Sequence, residues 1–179
     1  MTNILNVYIR PLTLSDAVEL LNLEKKNQTF FESHSVTRPE SYWTLETHQE
    51  LIEKWTENTK KDIQYVFGIF QINNDVLIGT ISLFHILRGP CQSATLGYSL
   101  DQEHNGKGYT TEAVNLVVNY AFEILHLHRI EAGVMPDNIG SMRVLEKCGF
   151  HKEGIAIKNV EINGRWEDHQ MLALLNPNH

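Results

Sequence analysis

The segment between residues 94 and 135 constrains the fold of this 179-residue chain more than any other. A β-prone run, Ala94 to Leu100, leads into the stretch His104-Asn105-Gly106-Lys107-Gly108-Tyr109. An amphipathic helix follows, and a second β-prone run extends from Arg129 to Met135. The pattern predicts a strand, a glycine loop, a helix and a strand with a right-handed crossover, at the centre of the domain.

The helix of this unit has a start signal and a buried face. Thr110 or Thr111 can cap it, and Glu112 lies in its first turn, where a negative charge is favourable. Its apolar residues repeat with helical spacing and predict one buried stripe, formed by Ala113, Val114, Val117, Val118, Ala121, Ile124 and Leu125.

The remaining sequence adds strands and helices on both sides of this unit. The other β-prone runs are Val7 to Leu12, Ile63 to Ile72, Val76 to Phe84, Gly154 to Ile162 and Asp168 to Leu175. Helices are predicted after Ser15 and Asp16, from Thr44 to about Lys61, and from about Gly140 to Lys147, where Gly149 ends the helix. The turn residues Asn73-Asn74-Asp75 and Asn163-Gly164 predict two hairpins. We expect an α+β fold with a mixed sheet, built as a single domain over residues 1–179 with a core from about residue 7 to 175.

Composition and charge exclude several classes of function. The net charge of −7, from 15 Lys and Arg against 22 Asp and Glu, opposes an extended grip on nucleic acid. The chain opens without the pattern of a secretory signal, and no apolar run approaches the ~20 residues that cross a bilayer. Cys91 and Cys148 cannot form a disulfide framework, and the nine histidines show no metal-ligand spacing. We expect a cytoplasmic protein that binds no membrane, no nucleic acid and no metal.

The glycine loop has the features of an anion site. A strand that enters a helix through glycines leaves backbone N–H groups pointing outward, and the helix dipole favours a negative charge there. Gly106 and Gly108 let the backbone approach phosphate oxygens without a Cβ in the way, and Lys107 adds positive charge. A plain tight turn before a helix would also explain the two glycines.

A second group of residues extends from Asn138 to Phe150. Asn138 can cap the short helix, and Ser141 lies three positions further on in the same first turn. Both polar side chains could then face a ligand that lies between the two helices. Simple helix capping explains the same residue types without a ligand.

Together these two segments resemble the GNAT superfamily of N-acetyltransferases. In that family the loop reads Gln or Arg, two residues, Gly, one residue, then Gly or Ala, and here Glu103 replaces the first residue. The resemblance implies a GNAT fold, in which about four helices flank a twisted, mostly antiparallel mixed sheet of about seven strands. It also implies that acetyl-CoA is the acetyl donor. The residues implied to bind it are Ser99, Leu100, His104, Asn105, Gly106, Lys107, Gly108, Tyr109, Thr110, Asn138 and Ser141.

The likeness extends to the RimJ/RimL group, which acetylates the N-termini of ribosomal proteins, and is closer to the RimJ branch. The likeness rests on four segments: Ile9 to Leu12, Leu96 to Leu100 with the glycine loop, Asn138 to Phe150, and Glu153-Gly154 with Asn163 to His169. The resemblance implies transfer to the α-amino group of a protein with N-terminal Ala or Ser. An acetyltransferase for a small amine, such as an antibiotic, a polyamine or an amino acid, is the alternative. A CoA-binding regulatory module without catalysis is a third reading.

Direct transfer of an acetyl group places three demands on a site: a base for the amine, a donor for the oxyanion and a proton for the leaving sulfur. By resemblance, Ser141 assists the thiolate, with Tyr98 and Asn138 as further catalytic candidates. A glutamate that accompanies this serine in relatives corresponds here to Val160, and the adjacent Glu161 faces the other side of its strand. An α-amine, with a pKa of about 7.7–8.0, needs only a weak base.

The acceptor side is expected near the first helices. Phe31, Tyr42 and Trp43, together with Phe30, are candidates for the acceptor pocket, although packing against the sheet is an equal alternative. Glu46, Glu50, Glu53 and Glu57 form an acidic helix face. We include Glu50 as a substrate-binding residue because such a face attracts a basic peptide, while a solvated surface is the simpler explanation. The sequence leaves open whether the chain is a monomer or a homodimer.

Overall fold

Seven strands form a single sheet in the computed structural model, which describes residues 5–179. They are β1 (Val7–Pro11), β2 (Tyr65–Gln71), β3 (Leu77–Leu87), β4 (Ser93–Leu100), β5 (Arg129–Val134), β6 (His151–Ile162) and β7 (Arg165–Leu175). The strand order is β1-β2-β3-β4-β5-β7-β6. Neighbouring strands are antiparallel except β4 and β5, which are parallel. The predicted α+β class and the mostly antiparallel mixed sheet are confirmed.

Five α-helices cover the two faces of the sheet. They are α1 (Ala17–Lys26), α2 (Gln28–Glu32), α3 (Leu45–Lys60), α4 (Tyr109–Asn119) and α5 (Ile139–Lys147). The larger core joins α4 and α5 to one face, around Ile81, Leu96 and Val117, and the smaller core joins α1 and α3 to the other face, around Leu20 and Phe70. Burial of these apolar side chains drives the docking of both helix layers.

The parallel contact between β4 and β5 is short. It covers Ser93 to Thr95 on β4 and Arg129 to Glu131 on β5, and beyond these residues the structure describes no further pairing of the two strands. The strands therefore separate toward their carboxyl ends, and Leu96 to Leu100 present a backbone edge to the gap. Because backbone N–H and C=O groups need partners, this edge can bind an extended ligand.

The central helix differs from the sequence prediction at both ends. Neither Thr110 nor Thr111 caps α4, because the helix already begins at Tyr109 and Gly108 occupies the cap position with φ 84°. At the other end a π-helical turn, Tyr120–Ile124, continues the helix. This wider turn shifts the buried stripe, so Ile124 is 62% exposed and its predicted burial is wrong, whereas Leu125 is buried.

The signals around α5 and the last hairpin are confirmed. The side chain of Asn138 accepts a hydrogen bond from the Ser141 backbone N–H, and Gly149 follows the helix with φ 89°. Asn163 and Gly164 have positive φ values of 51° and 80°, which suits the tight turn between β6 and β7. Both strands of this hairpin begin three residues earlier than predicted. Within residues 5–179, no helix is both long and apolar enough to span a membrane.

Candidate active site

A cavity of about 660 Å³ opens where β4 and β5 separate. Most of its wall comes from four parts of the chain: the end of β4 from Leu96 to Leu100, residues 132–135 at the end of β5, the glycine loop with the start of α4, and one side of α5. Phe30 and Phe31 of α2 close one end. The cavity thus lies between α4 and α5, where the sequence predicts a bound ligand.

The glycine loop forms an open cradle at one end of this cavity. Gly106 and Gly108 have φ values of 77° and 84°, and a Cβ added to either would meet no heavy atom of the described chain within 4 Å. Both glycines line the cavity, at the N-terminus of α4. A free approach to the backbone beside a helix N-terminus fits a phosphate group. The loop therefore fits the diphosphate of acetyl-CoA.

Hydrogen bonds and ion pairs from the end of α1 fix residues 101–103, which precede this loop. Asn27, which is buried, accepts a hydrogen bond from the Gln102 backbone N–H at 2.9 Å. The Lys26 ammonium lies 2.8 Å from Asp101 and 2.7 Å from Glu103. Burial opposes ionisation of Asp101, but the hydrogen bond from Lys26 lowers its pKa below the ordinary value. Glu103, the departure from the family pattern, is thus engaged with α1 in an exposed ion pair.

His104 lines the cavity beside the cradle. Its Nδ1 atom is buried and accepts or donates no hydrogen bond within the described chain, although it lies 3.4 Å from a carboxylate oxygen of Asp101. At this distance the Asp101 carboxylate interacts electrostatically with the His104 ring. The contact does not, however, have the geometry of a hydrogen bond. The ring faces Tyr109, with centroids 6.1 Å apart.

Tyr98 and Ser141 meet at the middle of the cavity. Their hydroxyl oxygens are 2.8 Å apart, and the Tyr98 hydroxyl also lies 3.2 Å from the Ser141 carbonyl oxygen. Asn138 accepts the Ser141 backbone N–H at 3.1 Å, so the cap of α5 does not use the Ser141 hydroxyl. Burial raises the pKa of Tyr98 to about 12, which keeps its hydroxyl protonated at neutral pH. The pair can donate a proton or a hydrogen bond into the cavity.

Most of the predicted cofactor residues lie on this cavity. The residues brought together on its wall are Ser99, Leu100, His104, Asn105, Gly106, Gly108, Tyr109, Thr110, Asn138 and Ser141. Lys107 is exposed and outside the set of lining residues.

The predicted acceptor residues are divided by the structure. Phe31 lines the cavity, whereas Tyr42, Trp43 and Glu50 do not. The Tyr42 hydroxyl instead donates to Glu24 at 2.6 Å, and its ring packs edge-on against Trp43. Burial raises the pKa of Tyr42 above its ordinary value. Glu50 is exposed on α3.

Several lining residues carried no clear signal in the sequence. Arg143 and Lys147 project from α5 to the cavity with a spacing of four residues, which places two positive charges on one side of the helix. His169 of β7 is only 8% exposed and also lines the cavity. Val160 lies elsewhere on the hairpin, paired with Glu167 and partly exposed. In the described residues no cluster of His, Cys, Asp or Glu could hold a metal ion.

Comparisons with known proteins agree with this geometry. Residues 6–151 match the model of the acetyltransferase (GNAT) domain. The chain is 60% identical to the probable N-acetyltransferase YjcK of Bacillus subtilis, covering 96% of this chain and 94% of that protein. It is 33% identical to the [Ribosomal protein uS5]-alanine N-acetyltransferase of Escherichia coli, covering 90% and 84%.

A solved structure extends the likeness to the whole fold. The ribosomal-protein-S5-alanine acetyltransferase of Vibrio fischeri is 34% identical, with a TM-score of 0.92 over 98% of this chain and 96% of that one. The family match over most of the chain, the cradle and the open strand pair all describe one kind of enzyme. The chain belongs to the GNAT acetyltransferase family and is an acetyl-CoA-dependent N-acetyltransferase.

Proposed function

We propose that this enzyme acetylates the α-amino group of a protein N-terminus, with a cytoplasmic ribosomal protein that begins with Ala or Ser as its acceptor. The observation that carries the proposal is the lining of the cavity. Among the residues described, its wall contains no Asp or Glu, while its acceptor end is made of Phe30, Phe31, Gly133 and Met135. A polyamine or aminoglycoside carries several positive charges, which need carboxylates when they leave water. A small N-terminal residue with one amine does not have this need.

A neighbouring groove supports a peptide rather than a small molecule. It has a volume of about 370 Å³ and shares Met135 with the active-site cavity. Asp137, Glu167 and Asp168 line this groove beside the exposed ring of Trp166, and their three negative charges outnumber the one positive charge of Lys158. Carboxylates outside the cavity suit the basic residues that follow an N-terminus in a ribosomal protein. The likeness to two enzymes named for the alanine of a ribosomal protein points the same way.

The donor is held by backbone and charge. The cradle of Gly106 and Gly108 and the N-terminus of α4 receive the diphosphate. Arg143 and Lys147 of the cavity wall, and the exposed Lys107 of the loop, add positive charge. The free edge of β4 from Leu96 to Leu100 binds the pantetheine arm and offers a backbone N–H to the thioester oxygen.

The pair formed by Tyr98 and Ser141 serves the leaving sulfur. Ser141 donates its hydroxyl hydrogen to the sulfur as the C–S bond breaks, and Tyr98 donates to the Ser141 oxygen in turn. Two hydrogen-bonded hydroxyls that are partly buried polarise each other, which strengthens the outer donor.

Peptide length tests the proposal against the small-amine alternative. A protein N-terminal acetyltransferase gains kcat/KM as residues are added after the first, because contacts beyond the amine contribute to transition-state binding. We expect a rise of at least tenfold from alanine amide to a basic hexapeptide that begins with Ala. Equal kcat/KM for alanine amide and the hexapeptide would contradict the proposal and favour a small acceptor.

A further inference from the structure

The acetyl transfer needs a group that takes a proton from the acceptor amine, which is charged in water at neutral pH. No carboxylate lines the cavity among residues 5–179, so a Glu or Asp cannot do this from its wall. Three histidines do line it: His34, His104 and His169. Among the described residues of the wall, these three imidazoles are therefore the candidates for the base.

Two of these imidazoles are placed unfavourably. The Nδ1 atom of His34 lies 2.9 Å from the Ser33 hydroxyl, and its Nε2 lies 3.6 Å from a carboxylate oxygen of Asp137. Nδ1 of His34 is thus paired with the Ser33 hydroxyl, and the carboxylate nearest its Nε2 belongs to a residue outside the cavity lining. His104 lies at the cradle beside Asp101, at the end where the diphosphate binds rather than where the acetyl group is transferred.

His169 has one nitrogen fixed and one free. Its Nδ1 lies 3.2 Å from the backbone carbonyl oxygen of Glu167. A carbonyl oxygen can only accept, so Nδ1 carries the hydrogen and the neutral ring has its lone pair on Nε2. Within the described residues, Nε2 makes no hydrogen bond. His169 is 8% exposed and yet borders the cavity, and a Cβ added to Gly133 would lie 3.6 Å from its ring.

Strand alternation places His169 opposite the Tyr98 and Ser141 pair. Leu172 of β7 and Leu96 of β4 belong to the core beneath α4 and α5, and Tyr98 packs on that same face. His169 lies an odd number of residues from Leu172, so it projects from the other face of the sheet. An amine that attacks from the face of His169 thus has Tyr98 and Ser141, the residues that donate to the leaving sulfur, on the opposite face of the sheet.

We propose that His169 is the general base of this enzyme. Nε2 of His169 accepts a proton from the ammonium group of the acceptor, and the neutral nitrogen then forms the N–C bond as the C–S bond breaks. The nitrogen loses two protons in all. His169 takes the first before the attack and the second after the N–C bond has formed, and passes each to solvent. Ser141, with Tyr98 behind it, gives one proton to the sulfur and regains one from solvent, so one proton in all is released. The inference rests on direct acetyl transfer, as in the proposed function, but not on which amine is the acceptor.

Substitution and chemical rescue test the role. His169→Ala is expected to lower kcat at least 100-fold on the best amine substrate of the wild-type enzyme and to leave CoA affinity within threefold by calorimetry. Added imidazole should restore at least a tenth of the lost rate, because the deletion leaves space for it beside Gly133. His128→Ala, which alters a partly exposed histidine stacked on His179 away from the cavity, should keep wild-type turnover and show no response to imidazole.

A loss of kcat below threefold in His169→Ala, or a large loss that imidazole does not restore, would overturn the proposal. Because the test uses whichever amine the wild-type enzyme acetylates, a wrong acceptor assignment leaves it intact.

A second measurement does not depend on turnover. Nitrogen-15 NMR of histidine side chains in the wild-type protein, free of acetyl-CoA, reports which ring nitrogen carries the hydrogen. The geometry predicts the Nδ1–H form for the His169 ring, assigned by its absence in His169→Gln. The Nε2–H form would place the hydrogen where the base needs its lone pair, and would overturn the proposal.

Discussion

The hydroxyl oxygens of Tyr98 and Ser141 lie 2.8 Å apart, across the space between the end of β4 and the first turn of α5. The contact joins two elements that are distant in sequence, and both residues line the cavity. Because the helix cap is made by Asn138, the Ser141 hydroxyl is available for chemistry rather than for holding the helix.

Removal of the Ser141 hydroxyl should slow the reaction without weakening the binding of the donor. We expect Ser141→Ala to lower kcat by about 10- to 100-fold, because a thiolate with a conjugate-acid pKa of about 8.5 needs only moderate assistance to leave. CoA affinity and Tm should stay near the wild-type values. Steady-state kinetics and calorimetry measure the three quantities.

The same pair can be tested by a double-mutant cycle. If Tyr98 acts through Ser141, the effects of Tyr98→Phe and Ser141→Ala on kcat should not add, and the double variant should resemble Ser141→Ala. Fully additive losses would show that the two hydroxyls act independently.

A side chain at Gly106 should block the cradle. Gly106→Val is expected to weaken CoA binding by more than tenfold, since a branched side chain at φ 77° enters the space into which a phosphate group must come. Gly89→Val is the matched control. Gly89 also has a positive φ, 66°, and open space around it, but it lies in a turn away from the cavity. Both variants should lose similar stability, and only Gly106→Val should lose CoA affinity in calorimetry.

The ion pair between Arg10 and Asp16 should make stability depend on acid pH. Two hydrogen bonds of 2.8 Å join them, and the Thr13 backbone N–H donates to Asp16 at 2.7 Å. These bonds, the two from Arg10 foremost, lower the pKa of Asp16 to about 2. The folded state thus favours the carboxylate, which contributes stability above the unfolded pKa near 4, and the contribution disappears as the pH falls toward 2.

Asp16→Asn should therefore cost about 2 kcal/mol in the free energy of unfolding at pH 7, and the difference from wild type should shrink between pH 4 and pH 2. Denaturant unfolding at several pH values measures it. Glu53→Gln, at an exposed position on α3, serves as the control with no such trend. A cost for Asp16→Asn that does not change with pH would argue against this account of the pair.

The two cysteines should differ sharply in reactivity. Cys91 is exposed, whereas burial raises the pKa of the Cys148 thiol to about 11 and its sulfur lies 3.6 Å from the Thr111 carbonyl oxygen. The thiolate is the reactive form, so iodoacetamide at pH 8 should label Cys91 at least tenfold faster than Cys148. Mass spectrometry of timed samples reads out both sites. Comparable labelling of Cys148 in the folded protein would contradict the burial.

The features that the sequence predicts correctly depend on interactions between residues that are close along the chain. Asn163 with Gly164, and Gly149 after α5, were predicted correctly because their turns depend on the φ values of single residues. The burial of Ile124 was predicted wrongly because the spacing of apolar residues does not indicate the π-helical turn, which moves Ile124 to the surface.

The acceptor end of the site required tertiary information. The gap between β4 and β5 results from how two strands diverge after Thr95, which no local pattern encodes. His169 lies in a strand that pairs with both β5 and β6, so its position on the cavity depends on the order of strands in the sheet. Tyr42 and Trp43, adjacent aromatics in the sequence, pack on each other and lie outside the cavity lining.

One measurement tests the central claim most directly: release of CoA from acetyl-CoA with a panel of amine acceptors. The panel contains a basic peptide that begins with Ala, the same peptide beginning with Ser, its N-terminally blocked form, free lysine, spermidine and several aminoglycosides. We predict turnover on the unblocked Ala and Ser peptides and none on the blocked peptide, although its lysines are retained. Turnover confined to the small amines, or equal on the blocked and unblocked peptides, would contradict the assignment of a protein N-terminus as the acceptor.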